Sequence, residues 1–179
     1  MKAAAGFLCL AVFALAHQNQ LFGQQMAKNR LASACGPQDQ DYKVSLDRSQ
    51  HGPVPPMAGK ALVYFIHDEG SGIGGAGLGY PTTKYAMDGS WVGANHGDSW
   101  FAIAVTPGEH HVCTMLQSSL VAERVELAQF TAEAGKSYYF RTQLVISRSV
   151  ELLELQMIDR DEAGYLYSEY PMATATAKK

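Results

Sequence analysis

Imidazoles stand beside other titrating groups at two places along the chain where protons could be exchanged: with carboxylates in His67-Asp68-Glu69, which closes a short apolar run, and with a thiol in His110-His111, which stands just before Cys113. An imidazole held by a carboxylate is the usual unit of general acid–base chemistry, and a thiol beside an imidazole is the usual unit of a cysteine nucleophile. Cys113 and His111, two apart on a strand, share a face, but no third orienting group accompanies them. His110 and His111 are adjacent and point to opposite faces, so they cannot share an ion, and His67-Asp68-Glu69 lacks a second ligand pair at diagnostic spacing. No metal is expected. The carboxylate pairs Asp68/Glu69 and Asp159/Asp161 fall in turn or cap contexts, where solvation and helix-end roles account for them. Ser71 and Ser90 both lack the pattern of a nucleophile elbow. Gly72-Ile73-Gly74-Gly75-Ala76-Gly77 matches the dinucleotide spacing G-x-G-x-x-G. That motif works only when its last glycine opens a helix toward the pyrophosphate, and here Tyr80-Pro81-Thr82-Thr83 continues extended. No cofactor is expected, and residues 70–79 read as a long loop.

An aromatic group offers binding chemistry instead. Trp91, Trp100 and Phe101 flank the turn Asn95-His96-Gly97-Asp98. Exposed there, Trp91 and Trp100 could stack on a sugar or peptide while Asn95 and His96 hydrogen-bond to it. The competing reading is that these rings fill the core.

The elements that must position these residues read as strands. Residues 42–46 alternate, and Gly52-Pro53-Val54-Pro55-Pro56 enforces an extended connection. The run ALVYFI at 61–66 has the character of a strand buried on both faces. Asp88-Gly89 between two strand-like stretches is a hairpin signal, because both central positions of the tight turn need positive φ. Strands are also read around Trp91, over 100–105, over 110–116, from Tyr138 to Ile146 and from Leu153 to Met157. Residues 121–132 fit helix and strand about equally. Asp159 with Glu162 has capping-box spacing for a short helix ended by Pro171. Turns recur every 8 to 12 residues or so, the spacing of a sandwich or barrel.

Met1-Lys2, an apolar run over 3–16 and the small-x-small ending Ala14-Leu15-Ala16 have the form of a cleavable leader. The run falls short of the roughly 20 residues of a membrane span. Neither Cys9, inside that run, nor Cys35, far beyond it, sits where a lipid anchor requires one, so a lipoprotein is the lesser reading. Cleavage after Ala16 leaves two of three cysteines, Cys35 and Cys113, in an oxidising compartment such as the periplasm or cell envelope. A Cys35–Cys113 disulfide is expected, worth roughly 4 kcal/mol in the chain-entropy account; two separate buried thiols are the alternative. A formal net charge of −3 gives no general attraction to nucleic acid.

Four blocks in order carry a family resemblance: residues 59–66 (GKALVYFI), 88–93 (DGSWVG), 107–111 (PGEHH) and 134–141 (AGKSYYFR). Over roughly residues 42–158 the chain resembles the bacterial domain of unknown function 2846. That resemblance implies an exported, β-rich envelope protein with no assigned activity, and it favours strand over helix at 121–132. It supplies no catalytic residues, and residues 70–79 have no counterpart in it.

The expectation is therefore an all-β protein: a leader at 1–16, a flexible polar segment at 17–34, one antiparallel β-sandwich at 35–170, and a disordered tail at 171–179. The sandwich would be immunoglobulin-like or prealbumin-like with a short C-terminal helix. The expected role is a non-enzymatic module that binds an envelope protein or glycan through Trp91, Asn95, His96 and Trp100. A hydrolase would instead need a pocket holding His67, Asp68 or His110 beside a second titratable group. A structural subunit would pair through an open strand edge.

Overall fold

The computed structural model describes residues 35–37, 39–69, 82–117, 125–147 and 150–178. The leader at 1–16, the polar segment at 17–34 and the glycine-rich residues 70–79 lie outside them, as do residues 121–124 of the ambiguous stretch. The chain folds as β1 (Tyr42–Asp47), β2 (Ala61–His67), β3 (Thr82–Met87), β4 (Ser90–His96), β5 (Ser99–Val105), β6 (Gly108–Leu116), β7 (Val125–Ala132), β8 (Ser137–Ser147), β9 (Val150–Ile158), α1 (Arg160–Glu169) and β10 (Met172–Ala177). Two sheets pack face to face, one ordered β1-β10-β5-β2-β8-β9 and the other β4-β3-β6-β7. This is the β-sandwich with a short C-terminal helix that the sequence leads one to expect. Antiparallel pairs dominate, and parallel contacts form at β10/β5 and β2/β8, where the chain re-enters the larger sheet from a distant element.

β2 is buried at every residue, and its alternation explains why. Val63 and Phe65 point into the space between the sheets, where Tyr85, Phe101, Phe130 and Phe140 meet them. Leu62, Tyr64 and Ile66 point the other way, into a second core closed by Ala163, Leu166 and Tyr167 of α1. The continuous apolar run thus serves two cores at once, as a central strand covered on both faces does.

The Asp88-Gly89 turn has φ of 51° and 77° at its central residues, the geometry the hairpin signal requires. β4 bulges against β3 between Tyr85 and Ala86. Gly93 lies under the Phe101 ring, where a Cβ would sit 2.7 Å from two ring carbons. Asp159 caps α1, its Oδ1 accepting from the Asp161 and Glu162 amides at 2.9 Å each. The disulfide Cys35–Cys113 fastens the N-terminal approach to β6, packed with Ala86, Trp91 and Val125.

The tail differs from expectation. Residues 172–177 are not disordered; they form β10, paired antiparallel with β1 from Met172↔Asp47 to Ala177↔Tyr42. The segment MATATA has little apolar bulk, so its order comes from the ladder with β1 and from Ala173, which is buried. The folded unit therefore runs past Tyr170 to Lys178, whose amide donates to the Asp41 carbonyl.

Candidate functional site

The four residues proposed to bind together are held in four environments. Trp91 lies on the outer face of the smaller sheet, its Nε1 donating to the Pro37 carbonyl at 2.8 Å and the Lys84 ammonium standing 4.6 Å from its ring centroid. Asn95 is fully buried, and its Nδ2 donates to the Phe65 carbonyl at 3.0 Å. Trp100 is 1% exposed in the core under α1, packed at tilted angles against Tyr64 and Tyr167, with Nε1 donating to the Tyr170 carbonyl at 3.0 Å. No ligand can reach its face. His96 alone of the four remains at an accessible recess, its Nδ1 3.1 Å from the Thr82 hydroxyl. The composite aromatic platform is therefore not formed. Alternation along β4, the bulge and the covering of β5 by α1 divide the set among different layers.

A different group converges at the end of the sandwich where β2 and β4 finish. A recess of about 340 Å³ is lined by Leu46 and Arg48 at the end of β1, by His96, Gly97 and Asp98 at the β4–β5 connection, and by Glu169, Tyr170 and Pro171 at the end of α1. Among the described residues, neither the Arg48 guanidinium nor the Glu169 carboxylate has a hydrogen-bond or ion-pair partner. Both remain available to something entering the recess.

Behind this opening lies a polar network that fixes its walls. Asp98 Oδ1 accepts from the Glu69 amide at 2.7 Å. Asp68 accepts from the Tyr170 hydroxyl and from Gln143 Nε2, each at 2.8 Å, with Arg141 Nη1 4.0 Å away. Arg141 turns mainly to Glu162 and Gln156, tying β8 to α1 and β9. Burial raises the Asp98 carboxyl above its ordinary range, and the charges of Asp68 and Glu69 add to that effect. Burial likewise raises the Tyr170 phenol, reinforced by its bond to Asp68, so Tyr170 stays a neutral donor.

The other candidates for proton chemistry are already paired. His67 Nε2 lies 3.1 Å from Glu69 Oε1, and both side chains are wholly sealed from solvent. Nδ1 of the same ring is 3.4 Å from the Thr83 hydroxyl across the sheet interface. His110 is held between Asp88 and the Thr106 carbonyl at 2.7 and 2.8 Å. No cluster of three His, Cys, Asp or Glu side chains suited to a metal exists among the described residues. A second, larger hollow of about 620 Å³ lies on the outer face of the smaller sheet, between Asp88, His111, Cys113, Leu127 and Gln129. Val112, Cys113, Leu127 and Ala128 make much of its lining apolar, while Asp88, His111 and Gln129 are its polar side chains.

Of the recess residues, the sequence flagged His96 as a ligand and Asp98 as part of its turn. Arg48, Glu169 and Tyr170 carry no sequence signal, because they meet only through β1 and β10 pairing. Comparison of the chain with known protein families, with curated proteins and with solved structures returns no match in any of the three.

Proposed function

We propose that the chain is an exported, non-enzymatic β-sandwich binding module of the cell envelope, and that the recess beside the β4–β5 turn takes a hydroxyl-rich glycan. The observation that carries this reading is that an uncommitted guanidinium, Arg48, and an uncommitted carboxylate, Glu169, line one recess together with Tyr170 and Pro171. Sugars present neutral hydroxyls as donors and acceptors together, with apolar ring faces, and a recess of mixed charge with aromatic and proline carbon matches that chemistry. Because the Asp68, Asp98 and Tyr170 bonds are made before any ligand arrives, the walls are preorganised, which lowers the ordering cost of binding.

Two further observations support the non-enzymatic reading. The His67–Glu69 pair is sealed from solvent, and His110 has both ring nitrogens engaged, so neither imidazole is placed to serve a substrate. Export is supported by the leader-like N-terminus and by the disulfide, which is compatible with an oxidising compartment.

Equilibrium binding of a soluble mixture of peptidoglycan fragments, measured by calorimetry, tests this. Loss of one charged hydrogen-bonding group should weaken binding about tenfold in Arg48→Ala and in Glu169→Gln, with unfolding transitions unchanged. Wild-type affinity retained in both variants, or no binding of the fragments by the wild type, would overturn the proposal.

A further inference from the structure

The clearest feature outside the recess is the hairpin turn at Asp88-Gly89 and the histidine beneath it. His110 Nε2 faces the Thr106 carbonyl at 2.8 Å, and Nδ1 faces Asp88 Oδ2 at 2.7 Å. A carbonyl and an ionised carboxylate can only accept, so both ring nitrogens must donate, and only the imidazolium carries two N–H groups. We propose that His110 is a proton-operated latch that fastens the Asp88-Gly89 turn to β6 while the ring is doubly protonated and loosens it when one proton leaves.

The remaining surroundings fit that role. From β7 the Phe130 ring packs against the imidazole at 5.7 Å between centroids, and Phe130 in turn meets Tyr138 and Phe140 of β8. These elements bring no charge to the ring. On β6 itself, Glu109 and His111 alternate to the exposed side, 4.0 Å from each other. Asp88 is thus the charged partner among the described residues. Its Oδ1 also accepts from the His111 amide at 2.9 Å, and its own amide donates to the His111 carbonyl at 3.0 Å. Those backbone bonds do not respond near neutral pH, so the imidazole contact is the titrating one of the three.

Burial pulls the His110 pKa down, but the Thr106 carbonyl and the Asp88 carboxylate outweigh it and leave the ring above the ordinary histidine value of 6.5. Burial opposes ionisation of Asp88 as well, yet the His111 amide and the His110 ring hold its pKa below 3.8. The signs then define a window. The His110 contribution is complete below 6.5 and is lost as pH rises through its folded value; the Asp88 contribution is complete above 3.8 and is lost as pH falls through its folded value. Between the two folded values the latch is shut. Asp88, Gly89 and His111 also line the hollow on the outer face of the smaller sheet.

Nuclear magnetic resonance on the disulfide-bonded protein tests this, following the His110 ring nitrogens and the Gly89 and His111 amides from about pH 5 to 9, the span over which histidines titrate. The expected result is a His110 midpoint above 6.5, with the Gly89 and His111 amides moving at the same midpoint. In Asp88→Asn the His110 midpoint should fall and the coincident Gly89 step should vanish. A wild-type midpoint at or below 6.5, or a Gly89 amide indifferent to the His110 titration, would overturn the latch whether or not the variant folds.

Discussion

Replacing Trp100 separates a core residue from a binding residue. The indole is 1% exposed and donates to the Tyr170 carbonyl, and its neighbours are Tyr64 and Tyr167 in the core under α1. Trp100→Phe deletes one ring of the indole and the N–H together. The volume removed, on the order of 40 Å³, costs about 1 kcal/mol at the cavity coefficient for buried side chains. The lost hydrogen bond, with the Tyr170 carbonyl left partly buried, adds about 1 kcal/mol. The expected loss is therefore about 2 kcal/mol, and Trp100→Ala should lose about 3 to 5 kcal/mol. Urea unfolding of the disulfide-bonded protein measures this as a lower midpoint at an unchanged slope. An exposed stacking platform would behave oppositely, with stability within about 0.5 kcal/mol of wild type and binding lost. A Trp100→Phe protein as stable as wild type would refute the placement of this side chain beneath α1.

Other outcomes follow from the same contacts. Replacing both Cys35 and Cys113 by Ala should lower stability by about 4 kcal/mol in guanidinium unfolding, since the bridge closes a separation of 78 residues. Gly93→Ala would place its Cβ 2.7 Å from the Phe101 ring, so a loss of about 1 to 3 kcal/mol is expected in thermal unfolding, relieved if Phe101 is also shortened to Leu. Asp159→Ala removes the acceptor for two helix amides and should cost about 1 kcal/mol, whereas Asp159→Ser should retain most of it.

Strand identity was legible wherever side-chain alternation or a turn pair stated it. The run at 61–66 is the central strand, Asp88-Gly89 is the hairpin turn, and Asp159 is the helix cap. Periodicity could not decide residues 121–132, and Val125–Ala132 is a strand because β6 offers it a ladder from Gly108 to Met115. The tail was illegible for the same kind of reason. MATATA has little to bury, and its order depends on β1, more than 120 residues earlier. Site residues were least legible of all. Trp91, Asn95 and Trp100 lie close in sequence, yet a bulge, a sheet interface and a covering helix send each to a different layer. Arg48 and Glu169 are far apart in sequence and meet at one recess, because β10 carries the end of α1 beside β1. Proximity along the chain is a poor guide in a sandwich, where alternate residues face opposite layers.

The most direct test of the binding account maps amide shifts across the whole chain as soluble peptidoglycan fragments are added. Saturable shifts confined to Arg48, His96, Gly97, Asp98, Glu169 and Tyr170 are the predicted result, with the core around Trp100 unmoved. Shifts confined to the hollow at His111 and Leu127, or none at saturating fragment, would contradict it.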